Sequence, residues 1–209
     1  MSADSIARLK VTLDNVRPQP VRRLEVPLTI RLDRLHDALQ AAMGWDNDHL
    51  WEFRLRDVAY GPAPDLGSEF GGTLSAERTT LLRALEHTGS ASFKYLYDFG
   101  DIWVHTVRIE ATLEPADTVT YPLLVEAAGA CPPEDIGGPG GYARMLAALA
   151  DPKHPRHLEL REWHGDFNAD DANIDGIKQR LAALAEYWAP KPPPERKPRA
   201  PRKRKAAEA

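Results

Sequence analysis

Cysteine is nearly absent from the 209 residues: Cys131 is the only one. No internal disulfide can form, and a reducing compartment, the cytoplasm, is the expected setting. No apolar run approaches the roughly 18 residues that a bilayer crossing requires, so no membrane partner is expected. Met1-Ser2-Ala3-Asp4-Ser5 has no basic stretch leading into an apolar one, so an export signal is not expected either. Several catalytic signatures are present only as fragments. Asp98-Phe99-Gly100 matches the magnesium-binding triplet of protein kinases, but the glycine-rich loop, paired lysine and catalytic loop are missing. Asp166, Asn168 and Asp170 fill the first ligand positions of a calcium loop, yet Asp171 stands where glycine is needed and Ile177 where a bidentate glutamate belongs. Gly137 to Gly141 precedes a helical pattern without the Lys-Ser/Thr of a phosphate loop, so these glycines read as structural.

Apolar residues make up 43% of the chain and charged residues 28%, as in ordinary globular proteins. The length suits one domain, expected over 1–189, followed by an extension over 190–209. Charge divides the two. The last twenty residues hold eight Lys/Arg against Glu195 and Glu208, so the segment carries +6 and the remainder −10 of the total −4. Six of the 18 prolines also fall there, with no aromatic or β-branched residue, and such a segment is expected to be disordered.

Periodicity predicts an α+β fold, a mixed and mainly antiparallel sheet packed with three principal helices. Leu9, Val11 and Leu13 alternate within 6–15, and Val21, Leu24 and Val26 follow a proline-marked connection, which predicts two strands. Leu32, Leu35, Leu39 and Met43 form a helical stripe that Gly44 terminates. Residues 50–58 alternate as a strand with one wet face, and 61–78 read as a Gly- and Pro-rich loop. A short helix near 81–86 precedes two strands, 93–97 and 103–113, joined by a turn through Gly100. Residues 131–141 read as a rigid loop, with helical spacing resuming over 142–149 and again over 174–188.

Four blocks stand out: Leu35 to Trp45 with His49-Leu50; Tyr97-Asp98-Phe99-Gly100-Asp101-Ile102-Trp103-Val104-His105; Cys131-Pro132-Pro133-Glu134-Asp135 with Gly137-Gly138 and Gly141-Tyr142; and Glu162-Trp163 through Phe167. Together they resemble the plasmid pRiA4b ORF-3-like family. In the last block this chain reads Asn168-Ala169-Asp170 where the family more often has Asp-Pro after the phenylalanine, so no role is carried onto that loop. The resemblance implies an α+β fold and an association with mobile elements and plasmids, because some members are labelled passengers of insertion elements. It implies no reaction. Serine recombinase chemistry would need a serine set among N-terminal arginines, and neither Ser2 nor Ser5 has that context.

Asp98, Asp101, His105, Cys131, Glu134 and Asp135 are the catalytic candidates, and His49, Asp101 and His105 the candidate metal ligands. Carboxylates, imidazoles and a thiolate bind divalent metals and move protons, and here they gather at turns and strand ends. A structural account competes: His105 shares the parity of Trp103 and Val107 and suits a hydrogen-bonded core, Asp98 and Asp101 flank a glycine turn, and Cys131 suits a packed loop. Trp45, Trp51 and Trp103 are expected as walls of any cleft the set would share. No cofactor is expected, and a divalent metal is the one candidate. Two functions follow as expectations. One is an accessory or binding protein of mobile elements whose Lys191–Lys205 tail adds nucleic-acid affinity through phosphate contacts. The other is a metal-dependent hydrolase-type enzyme using the Asp/His/Cys set.

Overall fold

Alternation of side chains decides the two faces of the sheet. In β1 (Ile6–Leu13) Leu9, Val11 and Leu13 are buried, whereas Arg8, Lys10 and Thr12 turn to the opposite face. The chain returns antiparallel as β2 (Val21–Pro27), pairing Leu9 with Leu24 and Ala7 with Val26. The structure, a computed structural model, describes residue 2 and residues 4–62 and 73–189. The expected disorder of 190–209 and most of the loop expected over 61–78 lie outside the described residues.

Six further strands complete the sheet: β3 (Trp51–Leu55), β4 (Val58–Gly61), β5 (Leu74–Ser75), β6 (Ser92–Tyr97), β7 (Trp103–Leu113) and β8 (Leu123–Ala128). Their order is β5-β4-β3-β6-β7-β1-β2-β8, with β4–β5 the one parallel pair among the described residues. This is the mixed, mainly antiparallel α+β sheet that periodicity predicts. Its inner face carries Phe53, Phe93, Tyr95, Tyr97, Trp103 and Val107, all buried. The outer face carries cross-strand ion pairs: Arg8–Glu25 at 2.6 Å, Arg23–Glu110 at 2.8 Å and Lys94–Asp14 at 2.7 Å. Partly exposed pairs of this kind contribute at most about 1 kcal/mol each, so they favour the register more than they stabilise the fold.

α1 (Leu32–Met43) lies on the inner face with Leu32, Leu35, Leu39 and Met43 buried, and Gly44 ends it at φ 85° with its N–H on the Gln40 carbonyl at 2.9 Å. α5 (Ile174–Trp188) packs against α1 and β8, its first turn capped by Asn173, which accepts from the Gly176 N–H at 3.2 Å. α2 (Leu81–Thr88) is the short helix expected near 81–86, and Thr80 caps it by accepting from the Arg83 N–H at 3.3 Å.

The structure departs from the sequence reading in four places. Residues 50–58 are not one strand: the chain reverses at Arg56-Asp57 into a hairpin, with Leu55 paired to Val58 and Arg56 left-handed at φ 53°. Arginine is an unusual residue for that conformation, so the turn had no local signal. The end of the 61–78 segment holds β5 and a 3-10 turn, Ala76–Arg78, rather than continuous loop. α3 runs from Gly138 to Ala150, four residues ahead of the expected start, because Pro139 opens the helix rather than belonging to the preceding loop. α4 (His157–His164) was not anticipated, because its exposed Leu158 and Trp163 blur the amphipathic pattern.

Gly141 tests how tightly α3 seats. A Cβ there would fall 1.8 Å from the Ile136 carbonyl oxygen, which belongs to the backbone. Gly141→Ala should therefore destabilise the fold by about 3 kcal/mol, read as a lowered urea midpoint at unchanged m-value. An unshifted midpoint would mean that the 136–141 backbone yields freely.

Candidate functional site

Three loops meet at one end of the sheet because of strand register. Trp51 opens β3 opposite Tyr97, the last residue of β6, and the Asp98 N–H extends that ladder to the Leu50 carbonyl at 2.9 Å. The connection from α1 to β3 is thereby laid beside the β6–β7 turn. The third loop, from β8 to α3, is tied to both. The Trp45 indole N–H donates to the Pro132 carbonyl at 2.8 Å, and the Asp46 N–H donates to the Glu134 carboxylate at 2.8 Å. The Tyr97 hydroxyl donates to the other Glu134 oxygen and accepts from the Asp48 N–H at 3.1 Å. The Asp101 carboxylate accepts from the Gly137 N–H at 3.0 Å. A Cβ on Gly138 would stand 2.5 Å from the Asp101 carbonyl oxygen, so the turn and the loop touch backbone to backbone only because that residue is glycine.

These ties leave three side chains facing one another. His49 Nε2 lies 3.4 Å from Asp135 Oδ1 and 3.9 Å from Asp98 Oδ2. The ligand atoms of all three lie within 4.8 Å of one another. Asp98 is buried, and its Oδ1 accepts from the Gly100 N–H at 2.8 Å, which leaves Oδ2 for His49. Asp98, Ile102, Asp135 and Asn47 all adopt left-handed backbone, at φ 56°, 57°, 57° and 66°. β-branched Ile102 pays most for this, and strained residues of this sort collect where a surface is held in a set geometry.

Of the residues singled out by sequence, His49, Asp98 and Asp135 converge, with Asp101 and Glu134 bracing the loops beside them. His105 and Cys131 do not join them, and this corrects the expectation of a shared Asp/His/Cys set and of a His49/Asp101/His105 metal site. The parity of β7 turns His105 inward, where it is fully buried beneath the edge of Trp45 at 5.4 Å and bonds the Tyr95 carbonyl at 3.2 Å. Cys131 meets Met43 Sδ at 3.2 Å and Arg22 Nη2 at 3.3 Å, and burial pushes its thiol up to about 11 against the opposing pull of Arg22. The three tryptophans are core residues and do not wall a cleft shared by that set: Trp45 stacks on Tyr97 at 5.1 Å and lines a separate cavity with Gln40 and Leu184, Trp51 stacks on His36 at 4.0 Å, and Trp103 is wholly buried.

A second polar chain runs beneath the site and had no part in the sequence reading. The Gln40 amide donates to the Tyr95 hydroxyl at 2.8 Å, that hydroxyl lies 2.7 Å from His36 Nδ1, and His36 Nε2 meets Asn47 Oδ1. Donor and acceptor roles are consistent only if His36 is neutral with its proton on Nε2. Burial lowers its pKa to about 4, opposed by the Asn47 bond. Asn47 lacked a motif of its own, and its left-handed backbone is what marks it.

Comparison with known proteins gives this arrangement a family. The model of the plasmid pRiA4b ORF-3-like proteins matches residues 5–176, and the chain belongs to that family. The uncharacterized protein y4hQ of Sinorhizobium fredii (strain NBRC 101917 / NGR234) is 54% identical over 190 residues, covering 90% of this chain and 96% of its own. The crystal structure of MM3350, a protein of unknown function from Methanosarcina mazei Go1, superposes with a TM-score of 0.72 at 31% identity, over 81% of this chain and 96% of that one. Among the described residues no helix is long and apolar enough to cross a membrane.

Two of the buried histidines, His36 and His105, make stability depend on acid. Burial lowers His36 and His105 each to about 4. The unfolded chain takes up these protons near pH 6.5 while the folded chain resists until about pH 4, so stability is full above 6.5 and is lost as pH falls through that window. The loss amounts to at most roughly 3 kcal/mol per histidine. Urea midpoints should fall between pH 7 and pH 4.5, and His105→Gln, which does not titrate, should flatten the profile. An unchanged slope in that variant would show that His105 takes up its proton as readily in the folded chain as in the unfolded one.

Proposed function

We propose that the protein is a divalent-cation-binding protein whose ion sits between His49, Asp98 and Asp135. The observation that supports this most directly is the meeting of three donor atoms, one from each of three separate loops, within 4.8 Å. Two ligands of one ion, each about 2.1 Å away, lie at most about 4.2 Å apart. Both His49 distances meet that limit, and the third side of the triangle, at most 4.8 Å, needs no more than about 0.6 Å of closure to reach it. One imidazole nitrogen with two carboxylate oxygens suits zinc or manganese better than magnesium or copper(I). Asp135 is exposed, so the remaining coordination positions open to solvent. Leu50, Phe99 and Ile102, next in sequence to His49, Asp98 and Asp101, are exposed apolar residues beside the cluster and favour a bound ligand over a purely structural ion. Hydrolase-type chemistry at this point would use metal-bound water as nucleophile, with no part for Cys131.

Protein purified without a histidine tag and dialysed against zinc or manganese should retain one ion per chain by elemental analysis. His49→Ala and Asp98→Asn should each weaken titrated binding at least tenfold with an unchanged circular dichroism spectrum. Absence of stoichiometric ion in the unaltered protein would overturn the proposal and leave His49 as a charge partner of the two aspartates.

A second reading concerns the accessory role that the family's link to mobile elements suggests. Eight Lys/Arg against two Glu within residues 190–209 supports a weak, sequence-independent attraction to nucleic acid. Deleting 190–209 should abolish binding to generic duplex DNA, and raised salt should mimic the deletion. Equal affinity with and without the segment would refute this role.

A further inference from the structure

Arg22 occupies a core-facing position in β2. It pairs with Val11, shares its face with Leu24 and Val26, and is 1% exposed. A guanidinium stays charged at any working pH, and burying it without an anion costs several kcal/mol. Its acceptors supply no counter-charge. Nε donates to the Ala42 carbonyl at 2.8 Å, and Nη1 faces the carbonyls of Val21, Ala128 and Gly129 at 2.8, 2.9 and 3.0 Å. Among the described residues Nη2 reaches only the Cys131 sulfur, at 3.3 Å, and burial raises the pKa of that thiol.

Arg22 and Cys131 line a cavity of about 300 Å³ between the end of α1 and the segment leading into α5, a size that suits a small metabolite. Ala41, Met43, Phe167 and Ile177 supply apolar wall. Three other charged residues line it, all exposed and therefore at its mouth: Asp166, Asp171 and Arg180. Asp166 is matched by Arg161 at 2.7 Å, whereas Arg180 donates to the Trp45 carbonyl at 3.3 Å and stands 3.9 Å from Asp46. The floor therefore holds the cation of Arg22, and the rim holds the carboxylate of Asp171, whose Oδ1 accepts from the Asn173 N–H at 2.8 Å.

We infer that this cavity binds a small zwitterion of the α-amino acid class, its carboxylate on Arg22 and its ammonium group towards Asp171. The inference is independent of the cation proposed at His49. The ligand's carboxylate supplies the counter-charge that Arg22 lacks, while its ammonium group meets the mouth carboxylate. An inorganic anion would meet the first requirement and be repelled by Asp171.

The full chain is titrated by thermal shift and calorimetry with a panel of free α-amino acids, their N-acetyl derivatives and acetate. All measurements are made in chelator, which keeps the His49 cluster empty and the two sites distinguishable. At least one free amino acid should raise the Tm, its N-acetyl derivative should bind at least tenfold more weakly, and acetate should have no effect at equal concentration. Asp171→Asn, at the exposed mouth, should reproduce the tenfold loss without affecting the fold, and Arg22→Met should abolish binding. Should Arg22→Met fail to fold for want of donors to its carbonyls, the Asp171→Asn and N-acetyl comparisons decide. The proposal is overturned if no free amino acid shifts the Tm, if acetate or the N-acetyl derivative binds as well, or if Asp171→Asn leaves affinity unchanged.

Discussion

The close approach of the Asp101 carbonyl to Gly138 is the constraint on which the functional end of the molecule depends. Any side chain at Gly138 would intrude to 2.5 Å of that oxygen, so the β6–β7 turn and the entry to α3 can be joined at this distance only by glycine. The Asp101 carboxylate on the Gly137 N–H reinforces the joint from the side. With turn and loop locked together, Asp98 and Asp135 are presented to His49 as one surface instead of as ends of independent loops. Left-handed backbone at Asp98, Ile102 and Asp135 is tolerated because this joint over-determines their positions.

Beneath that surface the polar groups are arranged to stay uncharged. Tyr95, Gln40 and His36 pass a single chain of hydrogen bonds from the middle of the sheet to Asn47 on the loop that carries His49. Along the chain each donor meets an acceptor and the loop gains an anchor in the core, although Gln40 Oε1 has no partner among the described residues. His105 likewise has one nitrogen bonded to the Tyr95 carbonyl and Nε2 without a partner among the described residues. Neutrality makes that tolerable, and Trp45 shields it from solvent.

Arg22 breaks this rule, because it is a permanent charge among neutral groups. Elsewhere arginines pair with carboxylates on the wet outer face, as Arg8 does with Glu25. On the inner face the sheet ends next to the loop after β8, and Arg22 is held there by the carbonyls of Ala128 and Gly129 and of Ala42 at the end of α1. It thus ties an edge of the sheet to a helix terminus while lining a cavity, a position from which a structural clamp can also receive a ligand.

Sequence periodicity carried the strands β1, β2, β6 and β7, the helices α1 and α5 and the glycine end of α1, because alternation and helical stripes are short-range properties written into neighbouring residues. It also set apart a basic, proline-rich end from an acidic body. It did not carry the Arg56-Asp57 reversal, the early start of α3 or the α4 helix, where local chemistry and observed backbone disagree. The same blocks of residues that stood out by type supplied the site, yet their grouping came from elsewhere. Parity alone sent His105 into the core, but the separation of Cys131 and the meeting of His49, Asp98 and Asp135 required the register of Trp51 against Tyr97 and the close approach of Asp101 to Gly138. The sequence by itself determined which faces are apolar and which residues could do chemistry; the tertiary structure decided which of them meet, because contacts between loops from distant parts of the chain follow strand pairing and backbone approach, neither of which leaves a periodic signal.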